Sequence, residues 1–337
     1  MVSYLLFSGG LDSILAAKVL QEQDIEVIGV TLVSNFFDAE KAKISAEQIG
    51  IDLEVVDISE EMLDIVKNPP HGHGKNLNPC IDCHGFMLRK LKEKFLDQCG
   101  EECFAATGEV LGQRPFSQNK EALKQVEKIA GVEVLRPLSA QLLPPTSVEE
   151  NGEVNREKLL DIQGRDRKRQ EELAERYGIK DYPSPAGGCL LTDPGFSERL
   201  GEMMEKWPDY TPADVELLKH GRIFWANYIN KSWVLIVVAR DGEEGEILSR
   251  SARSGDLTAE LADTTGPLTL ARGFPYPSND EELKPEFEIY IPEEWPHNLL
   301  TPPQKETQIW DSIGLLTGYY KPDVRGSKTR VKIARID

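Results

Sequence analysis

The sequence has little positive charge to spare. Across 337 residues, 57 acidic side chains face 39 lysines and arginines, a formal net charge of −18. A surface of that sign repels phosphate backbones, so any nucleic-acid reading has to rest on local basic patches. There is no run of about twenty apolar residues, which leaves no candidate membrane-spanning helix. The opening MVSYLLFSGG lacks the basic start and long apolar core of a signal peptide and reads as a first strand, so a cytoplasmic protein is expected. Internal repeats and low-complexity tracts are absent. Cysteine is scarce, at five residues: Cys80, Cys83, Cys99, Cys103 and Cys189. In a reducing compartment these point to metal binding, sulfur chemistry or burial rather than to a disulfide framework.

What is present is the composition of a folded protein, 40% hydrophobic and 28% charged, on a chain long enough for two domains. Apolar runs at 2–7, 25–33, 53–58 and 103–108 alternate with helical patterns near 11–23, 38–49, 81–98 and 118–130. That alternation predicts an α/β domain, a parallel sheet with helices on both faces. A Pro-punctuated stretch (136–153), a polar helix in RDRKRQEELAERYG and the turn YPSPAGGC follow. Beyond Asp193-Pro194 the runs RIFWANYI, SWVLIVVA, LTLARGFPYP and FEIYIP are rich in β-formers. The expected boundary is near residue 195, with a 1–195 nucleotide-binding domain and a smaller β-rich α+β domain at 196–337.

Directly after the first strand, Ser8-Gly9-Gly10-Leu11-Asp12-Ser13 opens onto a helix. Glycines there let backbone N–H groups approach a phosphate, and the helix N-terminus adds partial positive charge. Ser8 and Ser13 are further donors. Asp12 beside phosphates makes sense if it holds Mg²⁺ or orients those donors. No Gly-Lys-Ser/Thr follows, so a Walker-type loop is excluded. Cys80 and Cys83 stand as Cys-x-x-Cys at a helix start, in NPCIDC, where the helix end favours thiolate. The tight turn PAGGC presents Cys189 as a third thiol. Three thiolates suit a four-iron cluster with one open iron; a zinc site would need a fourth ligand such as His71, His73 or His84. His71 and His73 read as a solvated loop, and Cys99 and Cys103 as buried thiols.

The SGGLDS run resembles the PP-loop of N-type ATP pyrophosphatases, which cleave ATP between the α and β phosphates. In that family the second strand frames adenine, which falls here near Val30, Thr31 and Leu32, and Gly108 in TGEVLGQRPFSQ would approach the α-phosphate. NPC-x-x-C before a basic helix resembles the MnmA-type tRNA 2-thiouridylases, whose motif is Asn-Pro-Asp-x-x-Cys. The resemblance spans about residues 1–195 and implies an adenine nucleotide alpha hydrolase-like fold, with Cys83 and Cys189 as catalytic cysteines and Asp12 in the ATP site. Cys80 replaces the family's Asp and is closer to the cluster-dependent TtuA and TtcA thiolases. There Cys80, Cys83 and Cys189 would ligate a [4Fe-4S] cluster. The implied activity is a tRNA sulfurtransferase using ATP and Mg²⁺, with tRNA and a sulfur donor (sulfide or a persulfide carrier protein) as partners. No THUMP-like region precedes the loop, so a complete ThiI-type synthase is not expected.

Candidate RNA contacts are Arg89, Lys90, Arg114, Gln118, Arg165, Arg167, Lys168, Arg169 and the basic C-terminal run KPDVRGSKTRVKIARID; Ser139 is a weaker one. Residues 219–273 resemble the RNA-binding module of NFACT-type proteins, which would make Lys219, His220, Arg222 and Trp225 contacts. Two other readings use the same residues. A PP-loop ligase or amidotransferase would not need the cysteines. A non-catalytic nucleotide- or RNA-binding protein would use them for structural zinc.

Overall fold

A computed structural model describes residues 1–182, 188–228, 232–273, 286–295, 297, 299–300, 304 and 306–337. The chain divides into two units, Met1–Ser197 and Glu198–Asp337. Among the described residues no helix is long and apolar enough to cross a membrane.

The first unit is built on five parallel strands: β1 (Val2–Leu6), β2 (Glu26–Val33), β3 (Asp52–Asp57), β4 (Cys103–Thr107) and β5 (Val134–Leu135). Their order is β3-β2-β1-β4-β5. Successive side chains of a strand point to opposite faces. Leu5 accordingly joins a core with α1 (Leu11–Gln21) and α2 (Glu40–Ile49), while Leu6 packs on the other side against Leu88 and Val126. Those last two belong to α4 (Cys80–Leu91) and α5 (Lys120–Ala130), with α3 (Ser59–Lys67) between β3 and α4. The sheet is thus covered on both faces, as the runs of apolar strand residues require. Helix α1 has Leu11, Ile14, Leu15, Ala16, Ala17, Val19 and Leu20 all buried, because α6 (Lys168–Arg176) and α2 pack over it as well.

Helix α3 was not expected. Its apolar Met62, Leu63 and Val66 form only one short stripe among acids and lysine, easily read as loop. Cys99 and Cys103, expected as separate buried thiols, are joined by a disulfide. The helix end and the start of β4 bring their Cα atoms to 6.0 Å, within bridging range.

The second unit is a six-stranded antiparallel sheet in the order β10-β11-β8-β9-β7-β6. Its strands are β6 (Arg222–Tyr228), β7 (Ser232–Val238), β8 (Leu257–Leu261), β9 (Thr269–Arg272), β10 (Glu286–Ile291) and β11 (Ser327–Arg335). Ile309, Trp310, Ile313 and Leu316 of the helix Glu306–Tyr319 share a core with Val234, Ile236, Val331 and Ile333. The basic C-terminal run is therefore no free tail. Most of it is β11, where Lys328 pairs with Glu288 at 2.7 Å and Arg330 with Glu286 at 2.7 Å and with Asp263. Trp225 is buried, and Lys219 pairs with Glu216 at 2.6 Å.

In the first unit β1 runs through α1 to β2 on one side, while β4 lies on its other side, with Leu6 opposite Thr107. Loops leaving two such strands part company at their carboxyl ends and open a crevice, the usual ligand site of an open α/β sheet. Gly108 carries no Cβ for a local reason. One added there would stand 2.6 Å from the Ser13 nitrogen and 2.7 Å from the Asp12 carbonyl. Gly108→Ala should cost about 1–3 kcal/mol through overpacking. Thermal melting checks this; an unchanged melting temperature would contradict the close approach.

Candidate active site

The loop after β1 is held from several sides. Gly9 has φ +70° and lies against the Lys41 carbonyl and the Ala42 nitrogen, so the start of α2 backs onto it. Ser45 donates to the Gly9 carbonyl at 2.9 Å, and Ser13 donates to the Gly10 carbonyl at 2.8 Å. Ser8 is exposed, and its Oγ accepts from the Gly10 nitrogen at 3.4 Å. Thr31, expected near adenine through its backbone, uses its side chain for something else. Its hydroxyl donates to the Phe7 carbonyl at 2.5 Å, and its backbone pairs in the ladder with Val55. Thr31 thus braces the loop from behind.

Asp12 lies at the start of α1. Gln113 donates to its Oδ2 at 3.0 Å, and Arg167 Nη2 stands 3.7 Å from the same oxygen. Asp12 Oδ1 and Arg167 Nε are both buried without a hydrogen-bond partner. A carboxylate oxygen and a guanidinium N–H left over side by side, at the edge of a phosphate-type loop, are the donors that a cation and an anion bound together would use. Sequence reasoning did not single out Gln113, and it read Arg167 as an RNA contact. The basic run at 165–169 gave no sign of which cation turns inward.

The cysteines are brought together from two distant segments. Cys80 and Cys83 start α4. Cys189 follows Gly188, where an added Cβ would stand 3.8 Å from the Lys41 amine, and Leu190 donates to the Phe36 carbonyl at 3.0 Å. Asn76 adds a bond to the Thr192 carbonyl at 2.8 Å, tying this loop to the residues before Cys80. Residues 183–187 of the expected YPSPAGGC turn lie outside the described residues. The three sulfurs are close enough for Cys80 and Cys189 each to act electrostatically on Cys83.

Burial is the main influence on all three thiols, and it favours the neutral form. It pushes Cys83 well above its ordinary value, helped by Cys189, Cys80 and Asp82, and it pushes Cys189 up to about 11. Cys80 is also raised by burial, against the opposing pull of the Arg114 charge and a hydrogen bond from Ser117. Its thiol donates to Asn78 Oδ1 at 2.7 Å, and Cys83 lies 3.9 Å from the Met62 sulfur. Arg114 and Ser117, both in the loop after β4, thus reach the cysteine side of the crevice.

Two polar networks hold α4 in place. Asp82, buried between the cysteines, accepts from His71 twice, at 2.9 Å from the backbone and 2.6 Å from Nδ1, while Gln125 donates to His71 Nε2 at 2.9 Å. His73 bonds the Val66 carbonyl at 2.9 Å. The PPHGHGKN segment, expected as a solvated loop, is pinned through its histidines. On the other side His84 Nδ1 donates to Glu109 at 3.0 Å, and Arg136 donates to Glu109 at 3.1 Å and to Glu127 at 2.5 Å. Burial would raise the Glu109 carboxyl; the Arg136 charge and the His84 bond outweigh it and hold the group at about 2. A buried arginine has no local sequence signal, so this network was not foreseen. Ser139, expected as a weak RNA contact, instead accepts from the Leu111 nitrogen at 2.9 Å and donates to the Ile162 carbonyl at 2.6 Å.

Residues 2–128 match the family model described as the tRNA methyl transferase HUP domain. The tRNA-specific 2-thiouridylase MnmA 2 of Fusobacterium nucleatum is 36% identical over 108 residues, 30% of this chain and 31% of that one. Over this stretch the chain is similar to the tRNA 2-thiouridylases. MnmA of Syntrophomonas wolfei is 37% identical over 83 residues, 23% of this chain and 25% of that one. The chain thus spans about a third or less of the length of these curated relatives. Among solved structures, a 4-thiouridine synthetase in complex with RNA and bound ATP is 19% identical, with a TM-score of 0.33, over 64% of this chain and 52% of that one.

The Glu109 network makes stability depend on acid. A carboxyl lowered from 4.5 to about 2 contributes stability that is present above 4.5 and lost as the pH falls toward 2. The full effect is about 3 kcal/mol at neutral pH. Glu109→Gln should lose roughly that much at pH 7 and flatten the dependence between pH 5 and 2, measured by urea unfolding. Equal stability of variant and wild type at pH 7 would contradict it.

Proposed function

We propose that this chain is an ATP-dependent tRNA uridine thiolase. One observation carries the reading: three thiols from two distant segments converge beside a phosphate loop at the switch point of a parallel sheet. Backbone N–H groups of Gly9 and Gly10 and the start of α1 would hold the phosphates of ATP, with Ser8 and Ser13 at the loop's edge. Asp12, with one buried oxygen unpartnered, is the residue that fits Mg²⁺. When bound, that ion would offset charge on the phosphates. Arg167 would meet the departing pyrophosphate.

In the proposed reaction a uridine carbonyl oxygen attacks the α-phosphorus, and pyrophosphate leaves. Cys83, loaded as a persulfide by a sulfur carrier, then attacks the activated ring carbon through its terminal sulfur, and AMP departs. The Cys189 thiolate attacks the Cys83 sulfur, which frees the thiouridine and leaves a Cys83–Cys189 disulfide for a thiol reductant to reopen. Thiols raised by burial are poor nucleophiles until the site gains a positive partner, so this chemistry depends on substrate being in place.

The iron–sulfur form of the proposal rests on donor chemistry: Cys80, Cys83 and Cys189 could ligate three irons of a [4Fe-4S] cluster. Among the described residues, however, the cysteines do not close into a group that fits a metal ion. As arranged they do not suit the cluster, and the steps above run through the thiols alone.

The test is mass spectrometry of tRNA nucleosides from a strain lacking the gene. A thiouridine should disappear and return with the wild-type gene, but not with Cys83→Ala or Cys189→Ala, each expected to lose at least about 100-fold. Full activity of Cys83→Ala would overturn the reading. On the thiol route Cys80→Ala stays active; an inactive Cys80→Ala together with iron in anaerobically purified protein would replace that route with the cluster.

A further inference from the structure

Phe116 is 86% exposed, the most exposed of the large hydrophobic side chains among the described residues. Leaving a phenylalanine in water forgoes about 1.5–3 kcal/mol of burial. It does so on an anchored loop rather than a loose one. Gly112, with φ +76°, donates to the Gln118 carbonyl at 2.7 Å, and Gln118 and Ser117 donate back to the Arg114 carbonyl at 2.8 and 3.2 Å. The Asn119 side chain donates to the Pro115 carbonyl at 2.8 Å. Ser117 and Gln118 are buried beneath the turn, while Arg114, Pro115 and Phe116 are exposed at its tip. The tip is therefore held out by its base.

Its position is at the rim of the cysteine site. Ser117, next in sequence, hydrogen-bonds Cys80, and the Arg114 charge bears on both Cys80 and Cys189. Among the described residues no carboxylate pairs with Arg114, on a chain of net charge −18. Asn119, Lys120 and Glu121 around the tip are exposed and polar. A lone flat ring amid polar groups is not the contiguous apolar patch that a protein partner needs. A ring with an unpaired arginine beside it is instead the pairing that grips unpaired nucleotides, the ring on a base and the cation on a phosphate.

We propose that Phe116 stacks on an unpaired base of the RNA substrate, at or next to the target uridine, with Arg114 meeting the adjacent phosphate, so that the 112–118 loop presents the base to the cysteines. The proposal rests on the thiolation reading and adds its RNA-holding residues.

Binding of fluorescein-labelled tRNA and of a short oligouridine, followed by anisotropy on the full chain, tests it beside ATP titration. Base–aromatic stacking is worth about 1–3 kcal/mol, so Phe116→Ala should weaken RNA binding roughly 5- to 150-fold. ATP affinity and melting temperature should stay unchanged, since the side chain is 86% exposed. Phe116→Trp and Phe116→Tyr should restore binding, and Phe116→Leu should not. Wild-type RNA affinity in Phe116→Ala or Phe116→Leu would overturn the stacking role alone. A concentration-dependent dimer that Phe116→Ala dissolves would replace it with self-association. Wild-type protein that binds ATP but no RNA would overturn the thiolation reading and this proposal with it.

Discussion

The site depends on how closely two strand ends approach each other. β1 and β4 are neighbours whose chains leave in opposite directions, and Gly108 rests against the Asp12–Ser13 backbone with no room for a Cβ. That contact fixes the phosphate loop against the loop after β4. Through Glu109 and His84 the same loop is tied to the helix bearing Cys80 and Cys83. Through Gln113 it is tied to Asp12. One turn thus registers the phosphate-loop side of the crevice against the cysteine side, as the proposed two-step chemistry would require.

Electrostatics divide the crevice in two. The phosphate side is left with an unpartnered carboxylate oxygen and guanidinium N–H, groups whose burial makes sense beside a charged ligand. The cysteine side is built to keep thiols neutral: all three are raised chiefly by burial, and Asp82 lies between two of them. Arg114 is the cation that works against this, from the loop that also carries Phe116. The two sides of the crevice therefore meet at that loop.

Much of the first unit was legible in the sequence because each signal was local. Alternating apolar runs and amphipathic helices specify the parallel sheet, and SGGLDS after β1 specifies the loop. Cys80, Cys83 and Cys189 stood out by their Pro and Gly contexts, although nothing local says that residues 80 and 189 meet. Partners in space were not legible. Arg136 under Glu109, Arg167 turned toward Asp12 and His71 clamped to Asp82 all depend on contacts between segments far apart in sequence. In the second unit the fold of the basic C-terminal run was not legible for the same reason. Its alternating Thr329, Val331 and Ile333 are a strand's buried face, and partners on β10 and beyond β8 neutralise Lys328 and Arg330.

The central claim is that this loop splits ATP between its α and β phosphates on behalf of an RNA uridine. Incubating the protein and a persulfide sulfur donor with α-labelled and γ-labelled ATP, with and without tRNA, and separating the products tests it most directly. The account predicts AMP and pyrophosphate in equal amounts, formed only when tRNA is present and lost in Asp12→Ala. Release of ADP and phosphate, or AMP formed equally well without RNA, would contradict it.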